Sequence, residues 1–131
     1  MSEVIRGACL CGQVGFDVEE PKDMGVCYCT RCTRWTGASG NTVLVVAAGD
    51  FHVTKGQDVI KQYKEEGFAV RYFCSNCGSG VYTDGGEVYY VPAGVLQDVT
   101  LTPAWHIQVA NKADWYEIAG DAPQFADYPA R

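Results

Sequence analysis

The chain has 131 residues, 47% of them hydrophobic, and its 16 acidic against 10 basic residues give a net charge of -6. This length suffices for one domain with a buried core, and the hydrophobic fraction excludes a disordered tail or tether. Nucleic acids and anionic membrane surfaces are bound mostly through Lys and Arg, so the acidic balance argues against both as partners. We therefore expect a single domain over residues 1–131.

The N-terminal segment, Met1–Arg6, contains no apolar run, which predicts a chain without a signal peptide and a cytoplasmic location. The longest apolar run, Thr42–Ala48, is too short to cross a bilayer and is typical of a buried strand. Without secretion, seven cysteines are not expected to form a disulfide framework, and an odd number cannot pair completely. The thiols therefore need another role.

Short runs of alternating or β-branched residues, separated by glycine and aspartate, predict strands along most of the chain. In chain order these runs are Val14–Val18, Thr42–Val46, Val70–Phe73, Gly80–Tyr82, Val88–Val91 and His106–Val109. A short helix is expected from about Thr30 to Trp35, where cysteines lie beside polar residues. The 15 glycines suit a sheet protein with tight turns better than a helical bundle. The sequence therefore predicts a mostly β fold.

The cysteines fall into three clusters, which are Cys9 with Cys11, then Cys27, Cys29 and Cys32, then Cys74 with Cys77. Thiolates two or three residues apart can reach one tetrahedral ion from a tight turn, as in zinc sites. Gly12 and Gly78 directly follow the two pairs and can supply the positive φ that such turns need. The alternatives are free buried thiols or a dithiol redox pair at Cys74 and Cys77. Three clusters in one chain favour metal binding.

Seven sulfur ligands divide most simply into a site of four and a site of three. The two pairs together complete a closed four-sulfur site, and the central triplet then keeps an open fourth position. Closed zinc sites are structural, whereas open ones admit water or substrate. A rival assignment joins Cys29 and Cys32 to Cys74 and Cys77 as a zinc ribbon. That assignment leaves three thiols without a role.

The order of these motifs resembles a known family. Its elements are Gly7-x-Cys9-x-Cys11-Gly12, Cys27-x-Cys29-x-x-Cys32 with Thr36-Gly37 behind it, Arg71-x-Phe73-Cys74-x-x-Cys77-Gly78, and a tail with His106, Lys112 and Trp115. Together they resemble the glutathione-dependent formaldehyde-activating enzyme family, also called the centromere-protein-V/Gfa family. The resemblance extends from about Gly7 to about Phe125. It implies a mostly β, Mss4-like fold of short twisted sheets whose turns are held by zinc.

The resemblance also implies roles for the cysteines and an activity. Cys9, Cys11, Cys74 and Cys77 take the structural zinc, and Cys27, Cys29 and Cys32 take the catalytic zinc, so two Zn²⁺ ions are expected per chain. The family's named activity joins formaldehyde to glutathione, which in reverse is a carbon–sulfur lyase. The implied partners are a glutathione-like thiol and an aldehyde. Tyr28 stands where the family often has histidine.

A zinc ion held by three thiolates suits a substrate thiol better than it suits hydroxide, because soft ligands prefer soft partners. Arg34, and Arg31 beside it, can meet the carboxylates of a glutathione-like substrate or remain solvated surface residues. Tyr28 can donate a hydrogen bond to an oxyanion or merely pack. His106 can shuttle a proton or make a structural hydrogen bond.

Three functions remain open from the sequence. The leading hypothesis is a zinc-dependent carbon–sulfur lyase acting on a thiol–aldehyde adduct, with glutathione as the thiol. The alternative is a zinc-stabilised binding module without catalysis, in which a protein side chain fills the fourth position. Thiol–disulfide chemistry at a partly metal-free triplet is the third. The ligand count at the central zinc discriminates between the first two.

Overall fold

A computed structural model describes residues 4–128, so the first three residues of the N-terminal segment and both ends of the expected domain 1–131 lie outside the described residues. The chain folds as two compact units. The first unit contains residues 4–22 and 44–100, and the second contains residues 23–43 and 101–128. No helix among the described residues is long and apolar enough to cross a membrane.

The secondary structure of residues 4–128 is ten strands, one α-helix and four short 3-10 turns. The strands are β1 (Val4–Ala8), β2 (Gly15–Glu19), β3 (Asp23–Cys27), β4 (Asn41–Ala47), β5 (Phe51–Lys55), β6 (Ile60–Lys64), β7 (Val70–Cys74), β8 (Gly80–Asp84), β9 (Val88–Pro92) and β10 (His106–Ile107). The helix, α1, spans Thr30–Thr36. The 3-10 turns span Ala48–Asp50, Gln57–Val59, Ala93–Val95 and Val109–Asn111.

The first unit contains two groups of strands. One is a three-stranded antiparallel sheet in the order β1-β2-β5, and in the other β6, β7, β8 and β9 follow one another as antiparallel neighbours. Alternating apolar residues of these strands, of β4 and of the position just before β2 are almost fully buried, and they are Val14, Phe16, Val18, Leu44, Val46, Cys74, Val81 and Val91. This core holds two connections, β1–β2 and β7–β8, that carry the first and third cysteine clusters.

The second unit is organised by a short parallel pairing. β3 lies beside β10, with Val26 opposite His106 and Cys27 opposite Ile107. The backbone N–H of Tyr28 continues the pairing by donating to the Ile107 carbonyl at 3.1 Å. These bonds fix the backbone where the central cysteine cluster begins.

The mostly β class expected from the sequence is confirmed, and so is the helix, which ends one residue later than expected. The expected strand His106–Val109 is shorter, because Gln108 adopts the left-handed backbone region at φ 57° and a 3-10 turn follows it. Four strands were not expected: β1, β3, β5 and β6. The mostly exposed strand β6 illustrates the reason. Its sequence, IKQYK, has no apolar pattern, and its extended backbone is stabilised by pairing with β7.

Candidate metal centres

The structure brings the first and third cysteine clusters together in the first unit. The sulfurs of Cys9, Cys11, Cys74 and Cys77 all lie within 4.8 Å of one another. The Sγ–Sγ distance is 3.6 Å between Cys9 and Cys11 and 3.8 Å between Cys11 and Cys74. Four sulfurs about 2.3 Å from a tetrahedral zinc would lie about 3.8 Å apart. The cluster therefore has the dimensions of a closed tetrahedral site.

Two turns of the same kind form this cluster. After each cysteine pair the chain turns at a glycine in the left-handed region, with φ 80° at Gly12 and 82° at Gly78. Gly12 N–H donates to the Cys9 carbonyl at 3.0 Å, and Gly78 N–H donates to the Cys74 carbonyl at 2.7 Å. A Cβ at either glycine would meet no atom within 4 Å, so the backbone conformation and not space favours glycine. The positive φ expected from the sequence is confirmed.

Hydrogen bonds from neighbouring groups favour the charged form of two of these thiols. The Ser79 side chain, followed by backbone N–H groups, lowers the pKa of Cys77 to about 5. A bond from the Asn76 side chain is the largest cause that lowers the pKa of Cys11. Burial, by contrast, raises the pKa of Cys74 to about 11. A divalent cation would compensate that burial, because metal binding takes the thiolate form.

The central cluster forms in the second unit, where β3 passes into α1. The sulfurs of Cys27, Cys29 and Cys32 all lie within 4.8 Å of one another. Cys29 is the N-cap of α1, and its sulfur accepts a bond from the Cys32 backbone N–H at 3.3 Å. One turn of helix thus brings the second and third sulfurs together, while the β3–β10 pairing places the first.

The same closeness raises the cost of ionising all three sulfurs together. The pKa of Cys27 is strongly raised, first by its hydrogen bond with Cys32 and then by burial. Neighbouring thiolates repel one another, so the three can all be charged only where a cation neutralises them. The donor set therefore fits a soft divalent metal. Among residues 4–128, no imidazole or carboxylate joins the three sulfurs within that distance.

Tyr28 lies between two of these cysteines but is turned into the core. It is 1% exposed, and its hydroxyl lies 2.9 Å from Nδ1 of His106, which is 6% exposed. Burial, and then the charge of Tyr116, raises the pKa of Tyr28 to about 12, whereas burial lowers the pKa of His106. Both groups are therefore neutral near pH 7, so the phenol donates and the imidazole carries its proton on Nε2. Because each group already has its hydrogen-bond partner in the core, the geometry favours packing and structural roles for both residues.

We expect Tyr28→Phe to lower the free energy of unfolding by about 1–3 kcal/mol, because it leaves a buried acceptor on His106 without its donor. Urea denaturation measures this loss, and the metal content should stay unchanged. The control is Tyr116→Phe, which keeps the ring that lies 6.1 Å from the Tyr28 ring. Equal destabilisation by the two variants would contradict a special role for the Tyr28 hydroxyl.

The other residues singled out from the sequence lie on α1 and in the tail. Arg31 and Arg34 are on the helix that begins at the central cluster, both with exposed side chains, and Arg34 is in its last turn. Lys112 donates from Nζ to the carbonyls of Ala113 and Tyr116. Trp115 is 73% exposed. Lys112 thus stabilises the turn that contains Tyr116, whose ring contacts the ring of Tyr28. These contacts indicate a structural role for this part of the tail.

Sequence reasoning gave no role to two residues of the tail, Gln108 and Tyr128. Gln108 follows Ile107, the residue paired with Cys27, and has a positive φ. Burial, and then the charges of Cys27 and Cys29, raise the pKa of Tyr128. No spacing motif links either residue to the cysteines. A glutamine and a tyrosine in a polar tail are common, so the sequence alone gave no signal for either residue.

Comparisons with known proteins concern the family and the fold. A family model described as glutathione-dependent formaldehyde-activating enzyme matches residues 4–111. A protein of Schizosaccharomyces pombe named as an uncharacterized lyase is 29% identical over 126 residues, which are 92% of this chain and 89% of that protein. A crystal structure of a Rhodobacter sphaeroides protein matches with a TM-score of 0.64 and 22% identity, over 91% of this chain and 98% of that one. This last likeness concerns the fold alone.

Proposed function

The chain belongs to the glutathione-dependent formaldehyde-activating enzyme family, and from this premise we propose that it is a zinc-dependent carbon–sulfur lyase. Its substrate in this proposal is the adduct of glutathione and formaldehyde, formed or cleaved at the central cluster. The similarity to a protein named as a lyase supports the reaction class. We place the enzyme, as a single domain, in the cytoplasm.

The proposed ligands are the two sets of cysteines that lie together. Cys9, Cys11, Cys74 and Cys77 hold a structural zinc, and Cys27, Cys29 and Cys32 hold a catalytic zinc. The observation that carries the proposal is the three-sulfur cluster, which no fourth cysteine, histidine or carboxylate of residues 4–128 joins. Such a cluster leaves a coordination position for substrate, as catalytic zinc sites do.

When bound, a zinc ion with three thiolates supplies an electrophilic position that favours the thiolate form of a substrate thiol. The residues of this chain set the geometry around that position. The Cys32 N–H holds the Cys29 sulfur at 3.3 Å, and the pairing of Cys27 with Ile107 holds the first ligand on a rigid strand. A preorganised cluster of this kind orients the substrate sulfur without reorganisation of the chain.

A non-catalytic binding module is the second candidate, because one fold hosts many functions. It requires a protein side chain at the fourth position of the central metal. The open sulfur cluster is the observation that favours an enzyme over the module.

We expect glutathione to bind at the central cluster and to release a proton as its thiol ionises. The test is a glutathione titration of cobalt-substituted protein, in which the thiolate charge-transfer band should grow to saturation. Calorimetry in two buffers of different ionisation enthalpy measures the proton release. A spectrum that stays unchanged at saturating thiol would reject the lyase and promote the binding module.

The same titration tests Arg34. If its guanidinium meets a glutathione carboxylate, Arg34→Ala should weaken glutathione by about 10-fold and leave the binding of 2-mercaptoethanol unchanged. The control is Arg6→Ala, which removes an exposed arginine of β1 and so the same charge elsewhere. Equal weakening of both thiols by Arg34→Ala would remove this arginine from the site.

A further inference from the structure

Ser79 lies directly after the second of the two turns that carry the four-cysteine cluster, and its hydroxyl contacts both of them. The first turn contains residues 9–12 and the second contains residues 74–78. The Oγ of Ser79 accepts a hydrogen bond from the Leu10 backbone N–H at 3.1 Å, across 69 positions of sequence. The same oxygen lies 3.3 Å from Sγ of Cys77. One hydroxyl group therefore joins the backbone of the first turn to a sulfur of the second.

The donor and acceptor roles of these groups determine the direction of both bonds. A serine hydroxyl has one donor hydrogen and two acceptor lone pairs, and the Leu10 N–H uses one of those lone pairs. A cysteine that holds a metal is a thiolate without a hydrogen, so the Cys77 sulfur can only accept. The Ser79 hydrogen is thus directed to the Cys77 sulfur, in a charge-assisted hydrogen bond.

The backbone at Ser79 is fixed independently of its hydroxyl group. The Ser79 carbonyl accepts from the Cys74 N–H at 2.9 Å, and the next residue, Gly80, begins β8. Removal of the hydroxyl should therefore leave the β7–β8 connection in place. Leu10 is 87% exposed, so its side chain does little to hold the first turn. Its N–H bond to Ser79 links the two turns without help from a metal.

Two of the other sulfurs are held by the backbone or by burial. The Cys9 sulfur accepts from the Val14 backbone N–H at 3.3 Å, and Cys74 is fully buried. No exchange of a neighbouring side chain removes a backbone donor. The Cys77 sulfur, by contrast, takes its bond from a side chain that can be replaced, so the contribution of this bond can be measured.

We propose that Ser79 is a positioning residue of the four-cysteine site, which orients the Cys77 sulfur and joins the two turns so that the ion is retained. This role rests on the proposed structural zinc and does not depend on the lyase activity. Hydrogen-bond partners of metal ligands hold the ligands in their binding orientation, and their loss typically weakens metal binding. Ser79 acts at two points, on one ligand directly and on the contact between the two turns.

The rate of zinc transfer to a coloured chelator, 4-(2-pyridylazo)resorcinol, measures how well the ion is retained. In the zinc-loaded full chain we assign the slower release phase to the four-cysteine site, and Cys32→Ser protein should show that phase alone. Ser79→Ala should release this ion about 10-fold faster and bind it about 10-fold more weakly. Ser79→Thr keeps a hydroxyl group, so both values should stay within about twofold of the wild type.

Ser75→Ala is the matched control in the same turn. The Ser75 Oγ donates to the Val59 carbonyl at 2.6 Å and not to a sulfur, and the Ser75 N–H keeps its own bond to that carbonyl at 2.9 Å. We expect this variant to release zinc within about twofold of the wild-type rate, because no ligand loses a partner.

A spectrum separates the bond to sulfur from a general loosening of the turns. In cobalt-loaded Cys32→Ser protein, Ser79→Ala should shift the thiolate-to-cobalt charge-transfer band to longer wavelength. A sulfur that loses a hydrogen bond gives up an electron more easily, and hydrogen bonding around the sulfur tunes such metal sites. Ser75→Ala should leave the band in place.

Hydrogen exchange of the zinc-loaded wild type tests the contact between the turns without any substitution. The Leu10 amide should exchange slowly although the residue is exposed, and Ser79→Thr should keep this protection. This measurement decides the matter even if Ser79→Ala does not fold. Rapid exchange at Leu10 in the wild type would overturn the link between the turns.

The remaining outcomes distinguish the role of Ser79 from the proposals beneath it. If Ser79→Ala keeps the wild-type release rate and band position, the positioning role is overturned while the zinc site stands. Equal acceleration by Ser79→Ala and Ser75→Ala with an unmoved band overturns it as well. A wild type without metal at these four cysteines would refute the structural zinc and the role of Ser79 together. Failure to bind glutathione would refute the lyase alone.

Discussion

Cys74→Ser should unfold the first unit at physiological temperature and release the metal of the four-cysteine cluster. Binding of structural zinc contributes about 10–16 kcal/mol of apparent free energy in small zinc domains, which matches or exceeds the total stability of a typical protein, about 5–15 kcal/mol. The Cys74 sulfur is fully buried, and the cluster joins two connections that are 63 residues apart in sequence at Cys11 and Cys74. Loss of one ligand therefore removes a long-range crosslink.

Thermal denaturation and far-UV circular dichroism of purified protein measure this effect. The control is Cys32→Ser, which removes a ligand from the central cluster, where the β3–β10 pairing and the cap of α1 remain. We expect that variant to keep its fold and to lose only the second metal ion. An equal loss of thermal stability in both variants would refute the division into a structural and a catalytic site.

Stepwise chelation should abolish thiol binding before it affects the fold. Protein purified without chelator is expected to hold about two zinc ions per chain, because four and three thiolates make two sites. The central cluster has fewer ligands and an open position, so a mild chelator should remove its ion first. Glutathione binding should then vanish while the circular dichroism spectrum is unchanged, and added zinc should restore it.

Atomic emission measures the zinc content at each chelator concentration, and calorimetry measures the thiol affinity of the same samples. In Cys32→Ser, chelation should release only one ion, in a single step. The step that this variant lacks is then the release of the ion from the central cluster. A single zinc per chain bound by Cys29, Cys32, Cys74 and Cys77 would instead establish the zinc-ribbon arrangement.

Local sequence patterns predicted the elements whose burial is regular. Buried and partly exposed residues alternate along much of the β-branched run of β4, as expected for a strand. The helix α1 begins directly after Cys29, which is its N-cap. The strands β3 and β6 could not be predicted in this way. Their residues are only partly apolar, and strand pairing supplies their hydrogen bonds, from β10 about 80 positions away for β3 and from the neighbouring β7 for β6.

The candidate metal sites could be predicted from local features of the sequence. Seven cysteines in three clusters, with glycines after the two pairs, indicated two metal centres and their division, because ligand type and spacing are local properties. Tertiary structure alone decided what surrounds the central cluster. It turned Tyr28 onto His106 in the core and placed Gln108 directly after Ile107, the residue that pairs with Cys27. Such contacts depend on how β10 pairs with β3, and that pairing joins residues about 80 positions apart, a separation that no local pattern records.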